Sequence, residues 1–306
     1  MIHPELGVDM VRRKILSAVL LMFMLVYGCI QADGYAETLP VVTHLEENRF
    51  SCSFDGVKHD FILDLPRKTE GAPLVLMLPG YGNTAESFRS SVHFEEDAIP
   101  LGYAVAYVTG APNPNDPVSA VGWNSGISAD GNDDTAFLTS LAAYLQREYG
   151  FDGKRIFAVG FSNGAFMVHR LAAEAADTFS AFVSVAGAMP VRIWNERKET
   201  NDISFFQTTG EQDHVVPKNS DGSAETSKDP AIEDVMSYWA ESGGLYRCES
   251  EEAGNGSLLT KCGDEGTRNQ VWSLFVKNGR HSWPGMKLNG IDMNLLILDF
   301  FEAVSP

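Results

Sequence analysis

The chain has 306 residues, 44% of them hydrophobic, 21% charged and 10% aromatic, which suits one catalytic domain of moderate size with a full core. Its formal net charge of −18 repels phosphate backbones and argues against a nucleic-acid partner. Four cysteines, with no pair at zinc-site spacing, argue against a metal centre.

Positions 12–14 read RRK and lead into the apolar run ILSAVLLMFMLVY, Ile15 to Tyr27, followed by Gly28 and Cys29. The run lies within the roughly 7 to 15 residues of a signal-peptide core and falls short of the ~20 of a membrane span. Residues 1–28 therefore predict an export signal, for which Met10 serves as a start as well as Met1; a buried N-terminal helix is the alternative. The ending LVYGC resembles a bacterial lipobox, which implies cleavage before Cys29 and a lipid on that cysteine. Cleavage after Ala36, in DGYA, stays open. The protein is thus expected at the cell surface or secreted, meeting a membrane only through that lipid. Losing the signal removes three cations and two anions and deepens the charge to −19. Residues 29–49 read as a polar linker and 50–306 as one domain, expected to be monomeric, with no internal repeat.

Within that domain, short apolar runs alternate with helical patterns. APLVLMLPG (72–80) and GYAVAYVTG (102–110) each read as a buried strand ending at a turn signal. DDTAFLTSLAAYLQREYG (133–150) places Phe137, Leu138, Leu141, Ala142 and Leu145 on one helix face, with Asp133 or Asp134 to cap its start and Gly150 its end. Next come a strand at 154–160, a helix at 164–176 and strands at 181–189 and 202–210. A helix at 230–242, a strand at 270–279 and a helix at 292–304 complete the series. Strands hydrophobic throughout and separated by helices predict an α/β fold, a mostly parallel sheet covered on both faces.

In such a sheet, chemistry gathers at the carboxyl ends of the strands. FAVGFSNGAFMVHR (157–170) sets Ser162 between Gly160 and Gly164 where a strand turns into a helix, the context that a G-x-S-x-G nucleophile elbow requires. A serine needs a base, and among seven histidines His281, in NGRHSWPG just after the last strand, has the right place and chain order. His3, His44 and His59 precede the sheet core, His169 belongs to the helix after the elbow, His93 follows an early loop and His214 adjoins an aspartate. The imidazole needs a carboxylate, for which TTGEQDHVVP supplies Asp213, with Glu211 in reserve. Two backbone amides are expected to hold the oxyanion, those of Asn163 and of Tyr81, where Gly80 in LPGYGN lets the chain turn. In an exported chain, Cys248 and Cys262 can close CESEEAGNGSLLTKC as a disulfide, two free thiols being the alternative.

LPGYG, GWN at 122–124, DDTAFL at 133–138, GFSNGAFM, GEQDHVVP and HSWPG occur in this order. The set resembles exported α/β-hydrolase esterases of the polyhydroxybutyrate depolymerase type, which are similar to the feruloyl and acetylxylan esterases of carbohydrate esterase family one. The resemblance runs from about Ser51 to Phe301. It implies the α/β-hydrolase fold, Ser162 as nucleophile, Asp213 as acid, His281 as base, and Trp123 and Trp283 near the acyl or alcohol pocket; a packed role for either tryptophan stays open. It also implies that no cofactor is needed. The chain departs from many relatives in three places: Pro79-Gly80 where they have His-Gly, Arg280 where they have glycine, and SGISADGND after GWN where they carry cysteines.

The expected function is serine ester hydrolysis, with acylated plant polysaccharide as the first substrate class and polyhydroxybutyrate-type polyester as the second. A peptidase of the same fold is a third reading, although no propeller or cap is legible. A non-catalytic binding lipoprotein on a hydrolase scaffold is the rival from another class.

Overall fold

A computed structural model describes residues 39–113, 118–128, 131–198, 203–217, 229–263 and 269–305. The expected signal, Cys29 and the alternative cleavage site at Ala36 lie outside the described residues. Among the described residues no helix is long and apolar enough to cross a membrane.

The strands in chain order are β1 (Val41–Glu46), β2 (Arg49–Phe54), β3 (Val57–Asp64), β4 (Leu74–Leu78), β5 (Ala104–Val108), the two-residue β6 (Ala111–Pro112) and β7 (Val121–Gly122), β8 (Ile156–Phe161), β9 (Ala181–Val185), β10 (Phe205–Gly210), β11 (Cys248–Gly254), β12 (Ser257–Cys262) and β13 (Val271–Val276). The helices are α1 (Ala85–Val92), α2 (Phe94–Ala98), α3 (Asp134–Tyr149), α4 (Asn163–Glu174), α5 (Val191–Glu196), α6 (Ile232–Ser242), α7 (Met286–Asn289) and α8 (Met293–Val304).

Eleven strands form one sheet in the order β1-β2-β3-β5-β4-β8-β9-β10-β13-β12-β11. The middle run from β5 to β13 is parallel, and antiparallel strands flank it on both sides. The centre follows from composition. LVLML of β4 and AVAYV of β5 are buried at every position, as strands covered on both faces must be. Alternation then sorts the side chains. Leu74, Leu76 and Leu78 enter one core with Leu141 of α3, Leu171 of α4 and Trp239 of α6. Val75 and Met77 enter the other with Phe88 of α1, Phe94 of α2 and Phe301 of α8.

Helix ends follow the expected chemistry. The Asp133 side chain accepts from the Ala136 amide at 3.0 Å, and Gly150 closes α3 at φ 71°. Asp292 caps α8 through the Leu295 amide at 3.2 Å.

Two regions differ from the sequence expectation. The stretch 29–49 was expected to be a linker, yet β1 pairs antiparallel with β2 from Val41↔Ser53 to Glu46↔Arg49, so the sheet takes in residues ahead of position 50. Five of the six β1 side chains are exposed, so the ladder of backbone hydrogen bonds holds a strand that carries no apolar alternation. At the opposite edge, β11 and β12 form a hairpin outside β13, and the disulfide Cys248–Cys262 joins directly paired residues across it. The first five side chains of β11, CESEE, are all exposed, so this strand too lacks a hydrophobic signature. Cys52 is a buried free thiol, pushed up to about 12 first by burial and then by the Asp60 charge, and is therefore held in its unreactive neutral form.

Candidate active site

Ser162 sits between β8 and α4 with φ 51° and ψ −119°, a left-handed conformation that a serine adopts only when its surroundings force it. The flanking glycines supply that force. A Cβ on Gly160 would lie 2.2 Å from the Gly164 carbonyl oxygen, and one on Gly164 would lie 2.0 Å from the Leu78 carbonyl oxygen. Only hydrogen at both positions lets the helix pack this tightly against the ends of β8 and β4. The Ser162 amide donates to the Val185 carbonyl at 3.0 Å, which ties the turn to the end of β9. The hydroxyl caps no helix amide and stays available to a partner.

That partner is His281. Its Nε2 lies 2.9 Å from Ser162 Oγ, and its Nδ1 lies 2.8 Å from Asp213 Oδ2. A carboxylate only accepts, so Nδ1 carries the proton and Nε2 is left as the acceptor for the serine hydroxyl. Asp213 is 4% exposed and anchored from behind, its Oδ1 accepting from the amides of Val215 at 2.9 Å and Val216 at 2.8 Å. The loops that carry Asp213 and His281 are fastened together, with the Glu211 amide donating to Val276 O at 3.0 Å and the Gln212 amide to Gly279 O at 2.7 Å. Gly210 permits this approach, because a Cβ there would meet the Gly279 carbonyl oxygen at 2.6 Å.

Glu211, the reserve acid, points elsewhere. It is exposed, pairs with Lys277 and accepts from the Asn278 amide at 2.9 Å; the Lys277 contact, ahead of the amide, holds its carboxyl below the usual range. The other described histidines have other surroundings. His59 is buried and its Nδ1 lies 3.1 Å from the Thr109 carbonyl. His169 is buried against Gln207, with Nε2 3.1 Å from Oε1. His44, His93 and His214 are exposed.

Gly80 comes close to the serine, since a Cβ on it would lie 3.2 Å from Ser162 Cβ and 3.2 Å from the Phe161 ring. The turn that leads into Tyr81 therefore borders the serine side chain at its Cβ. Asn163 is the first residue of α4, so its amide has no acceptor within the helix. A helix start beneath the serine oxygen also favours negative charge there.

Trp283 is half-buried, two residues past His281, with its ring edge-on to Phe88 at 5.7 Å and its Nε1 donating to Asn294 Oδ1 at 3.1 Å. Trp123 takes the packed position that the sequence left open beside a place near the pocket. It is 6% exposed and packed in the core shared by α3 and α4, and its indole N–H donates to the Pro79 carbonyl at 3.0 Å. A cleft of about 580 Å³ lies by the β11–β12 hairpin between residues such as Arg247, Glu251 and Trp272, none of which belongs to the serine cluster. The serine, imidazole and carboxylate converge at the carboxyl ends of β8, β10 and β13, where chemistry is expected in such a sheet.

Sequence reasoning missed the side chain of Asn163. Its Oδ1 accepts from the Trp123 amide at 2.7 Å and its Nδ2 donates to the Trp123 carbonyl at 3.2 Å. It also missed Asp134, which is 1% exposed and accepts from the Asn124 amide at 2.6 Å; burial pushes its carboxyl up to about 6 against that hydrogen bond and Arg170. The motifs GWN and DDTAFL contain these residues, but their pairing is non-local and leaves no periodic trace.

The prolyl oligopeptidase family profile matches residues 123–233. The chain is 28% identical over 242 residues to NocK of Nocardia uniformis subsp. tsuyamanensis, a match covering 72% of this chain and 68% of that protein. It is 24% identical over 132 residues to acetylxylan esterase A of Emericella nidulans, covering 42% of this chain and 41% of that one. Among solved structures, the acetyl xylan esterase from Aspergillus awamori superposes with a TM-score of 0.61 at 12% identity, over 86% of this chain and 99% of that one. The chain thus spans about two thirds of NocK and less than half of the Emericella enzyme.

Proposed function

The chain has the α/β-hydrolase fold, and from that premise we propose that it is a serine carboxylic-ester hydrolase that deacylates plant polysaccharides. The observation that carries the reading is the relay from Asp213 through His281 to Ser162, at 2.8 and 2.9 Å, on a serine held at φ 51°. An acetylxylan esterase and a feruloyl esterase stand among the proteins of similar sequence, which supports the substrate class.

In this reading Ser162 Oγ attacks the ester carbonyl while His281 Nε2 takes its proton, and the Asp213 carboxylate stabilises the imidazolium. The tetrahedral oxyanion accepts from the amides of Tyr81 and Asn163. The intermediate collapses as His281 returns the proton to the leaving alcohol, and an acyl-serine remains. Water, deprotonated by the same imidazole, attacks the acyl carbon and releases the carboxylic acid with Ser162 restored. The residues in place supply nucleophile, base and donors without a cofactor. Trp283 borders the bound ester in this account, because it follows the base by two residues and is half-buried. Export through the 1–28 signal, with a lipid on Cys29, would put the enzyme where such polymers are found.

Release of acetate and ferulate from acylated xylan fragments, with p-nitrophenyl acetate as control, tests the reading. The wild-type chain should release acid and be labelled by a fluorophosphonate, and Ser162→Ala, folded, should do neither. Turnover by Ser162→Ala near the wild-type rate would overturn the nucleophile. Ser162-dependent activity on the control alone would keep the mechanism and move the substrate to polyesters or small esters. No labelling at all would favour a binding protein on a hydrolase scaffold.

A further inference from the structure

The two amides assigned to the oxyanion come from residues 82 apart in sequence, Tyr81 after β4 and Asn163 at the start of α4. Their usefulness depends on spacing, because both must reach one oxygen at hydrogen-bond distance when charge develops on it. The strained turn at Ser162 fixes Asn163. What fixes the other segment against it lies in residues 121–124.

Trp123 reaches both sides. Its indole N–H donates to the Pro79 carbonyl at 3.0 Å, on the peptide that leads into Gly80 and Tyr81. Its backbone is gripped by the Asn163 side chain at both ends, the amide donating to Oδ1 at 2.7 Å and the carbonyl accepting from Nδ2 at 3.2 Å. One residue therefore joins the peptide before one donor to the residue that carries the other. Nearby contacts stiffen the join. The Gly82 amide donates to Val121 O at 2.8 Å, so the Tyr81 turn is held at its far end as well. Gly122 has no side chain because there is no room for one, a Cβ there lying 2.7 Å from the Tyr81 ring and 3.2 Å from Asn163 Oδ1. Asn124 is held in turn by Asp134 Oδ2 on its amide at 2.6 Å and by Arg170 Nη1 on its carbonyl at 2.6 Å. The strut is thus anchored to α3 and α4, two helices of the sheet's cover.

We propose that Trp123 is a positioning residue that sets the distance between the two oxyanion-binding amides through its indole N–H and the Asn163 side chain. The proposal rests on the serine-esterase reading and adds to it a residue that touches neither substrate nor the reacting atoms. A position set this way matters little to the ester before attack, whose carbonyl carries slight charge. It matters most to the tetrahedral intermediate. Removing the indole N–H while keeping the ring should therefore lower kcat and leave KM nearly unchanged.

The test compares the wild-type chain with Trp123→Phe, and with a chain carrying benzothienylalanine at position 123, which keeps the bicyclic shape and has sulfur in place of the N–H donor. Losing an oxyanion donor outright costs about 10²–10³ in rate, so a displaced one should cost about 10- to 100-fold in kcat. Affinity for a boronic acid that forms a tetrahedral adduct on Ser162 should fall by a similar factor, and KM should stay within about twofold. If the folded benzothienylalanine protein keeps wild-type kcat and boronate affinity, the strut is wrong whatever happens to Trp123→Phe. A rise in KM at constant kcat would make Trp123 a substrate contact and equally overturn the proposal. Absence of Ser162-dependent hydrolysis in the wild-type chain overturns the esterase reading itself, and the strut with it, and is told apart because it appears before any variant is compared.

Discussion

Replacing Asp213 by Asn changes one atom and no volume, and the structure determines which way the new amide must face. Two backbone amides, of Val215 at 2.9 Å and Val216 at 2.8 Å, donate to Oδ1, so an asparagine has to keep its carbonyl oxygen there. Its NH2 then occupies the Oδ2 position, 2.8 Å from His281 Nδ1. A donor at that place requires Nδ1 to accept, which moves the ring proton to Nε2. Nε2 would then donate to Ser162 Oγ, 2.9 Å away, and could no longer take its proton. Retained geometry with the wrong tautomer costs another serine triad about 10⁴ in kcat, roughly 5 kcal/mol of transition-state stabilisation, and a similar loss is expected here. Steady-state hydrolysis of p-nitrophenyl acetate by Asp213→Asn, with Glu211→Gln alongside, measures it. The Glu211 variant should stay within about twofold of wild type, because that side chain serves Lys277 and the Asn278 amide. A loss below about 10-fold in a folded Asp213→Asn enzyme would refute the tautomer account and the role of Asp213 with it.

Two further expectations concern stability. Gly164→Ala places a good helix former inside α4, where propensity alone would favour it by about 1 kcal/mol, yet its Cβ would stand 2.0 Å from the Leu78 carbonyl oxygen and 2.6 Å from that of Pro79. Overpacking against backbone should destabilise the protein by about 3 kcal/mol, and an unchanged urea midpoint would refute the close contact between elbow and β4. Burial holds the His169 imidazole down to about 3, against the upward pull of its Gln207 hydrogen bond, whereas an unfolded histidine titrates near 6.5. The native state therefore excludes a proton that the unfolded chain binds. Its contribution is complete above pH 6.5 and is lost as pH falls, by up to roughly 1.4 kcal/mol per pH unit. Urea unfolding between pH 7 and 4.5 should show a shallower loss of stability in His169→Gln than in the wild type, and equal slopes would contradict the assignment.

The parallel centre was legible because its residues answer to local rules. The runs at 72–80, 102–110, 154–160, 181–189, 202–210 and 270–279 each contain most of an observed strand, and the four long helical patterns fall on α3, α4, α6 and α8. Burial on both faces makes such strands hydrophobic throughout, so their sequence announces them. The flanking strands β1 and β11 do not, since their side chains face water and backbone ladders or a disulfide hold them. Ser162, Asp213 and His281 could be picked out by residue type and by position after a strand, and the structure brings them within hydrogen-bond reach. Trp123 could not be placed from sequence. A tryptophan suits either a pocket wall or a core, and the choice depends on the Pro79 carbonyl and the Asn163 amide group, 44 and 40 residues away.

The outer hairpin bears on what the sheet can join. Among the described residues strand β11 leaves one side of its backbone without a neighbouring strand, the usual template for aggregation by strand addition. Here that template carries Glu249, Glu251 and Glu252 along an exposed rim. A second copy aligning on it would bring carboxylates against carboxylates, a cross-strand arrangement that opposes pairing. The Cys248–Cys262 bond pins β11 to β12 in one register, which keeps the rim from peeling away and uncovering the more apolar strands inside. Acid and cross-link together make this edge a terminus for the sheet formed by the described residues.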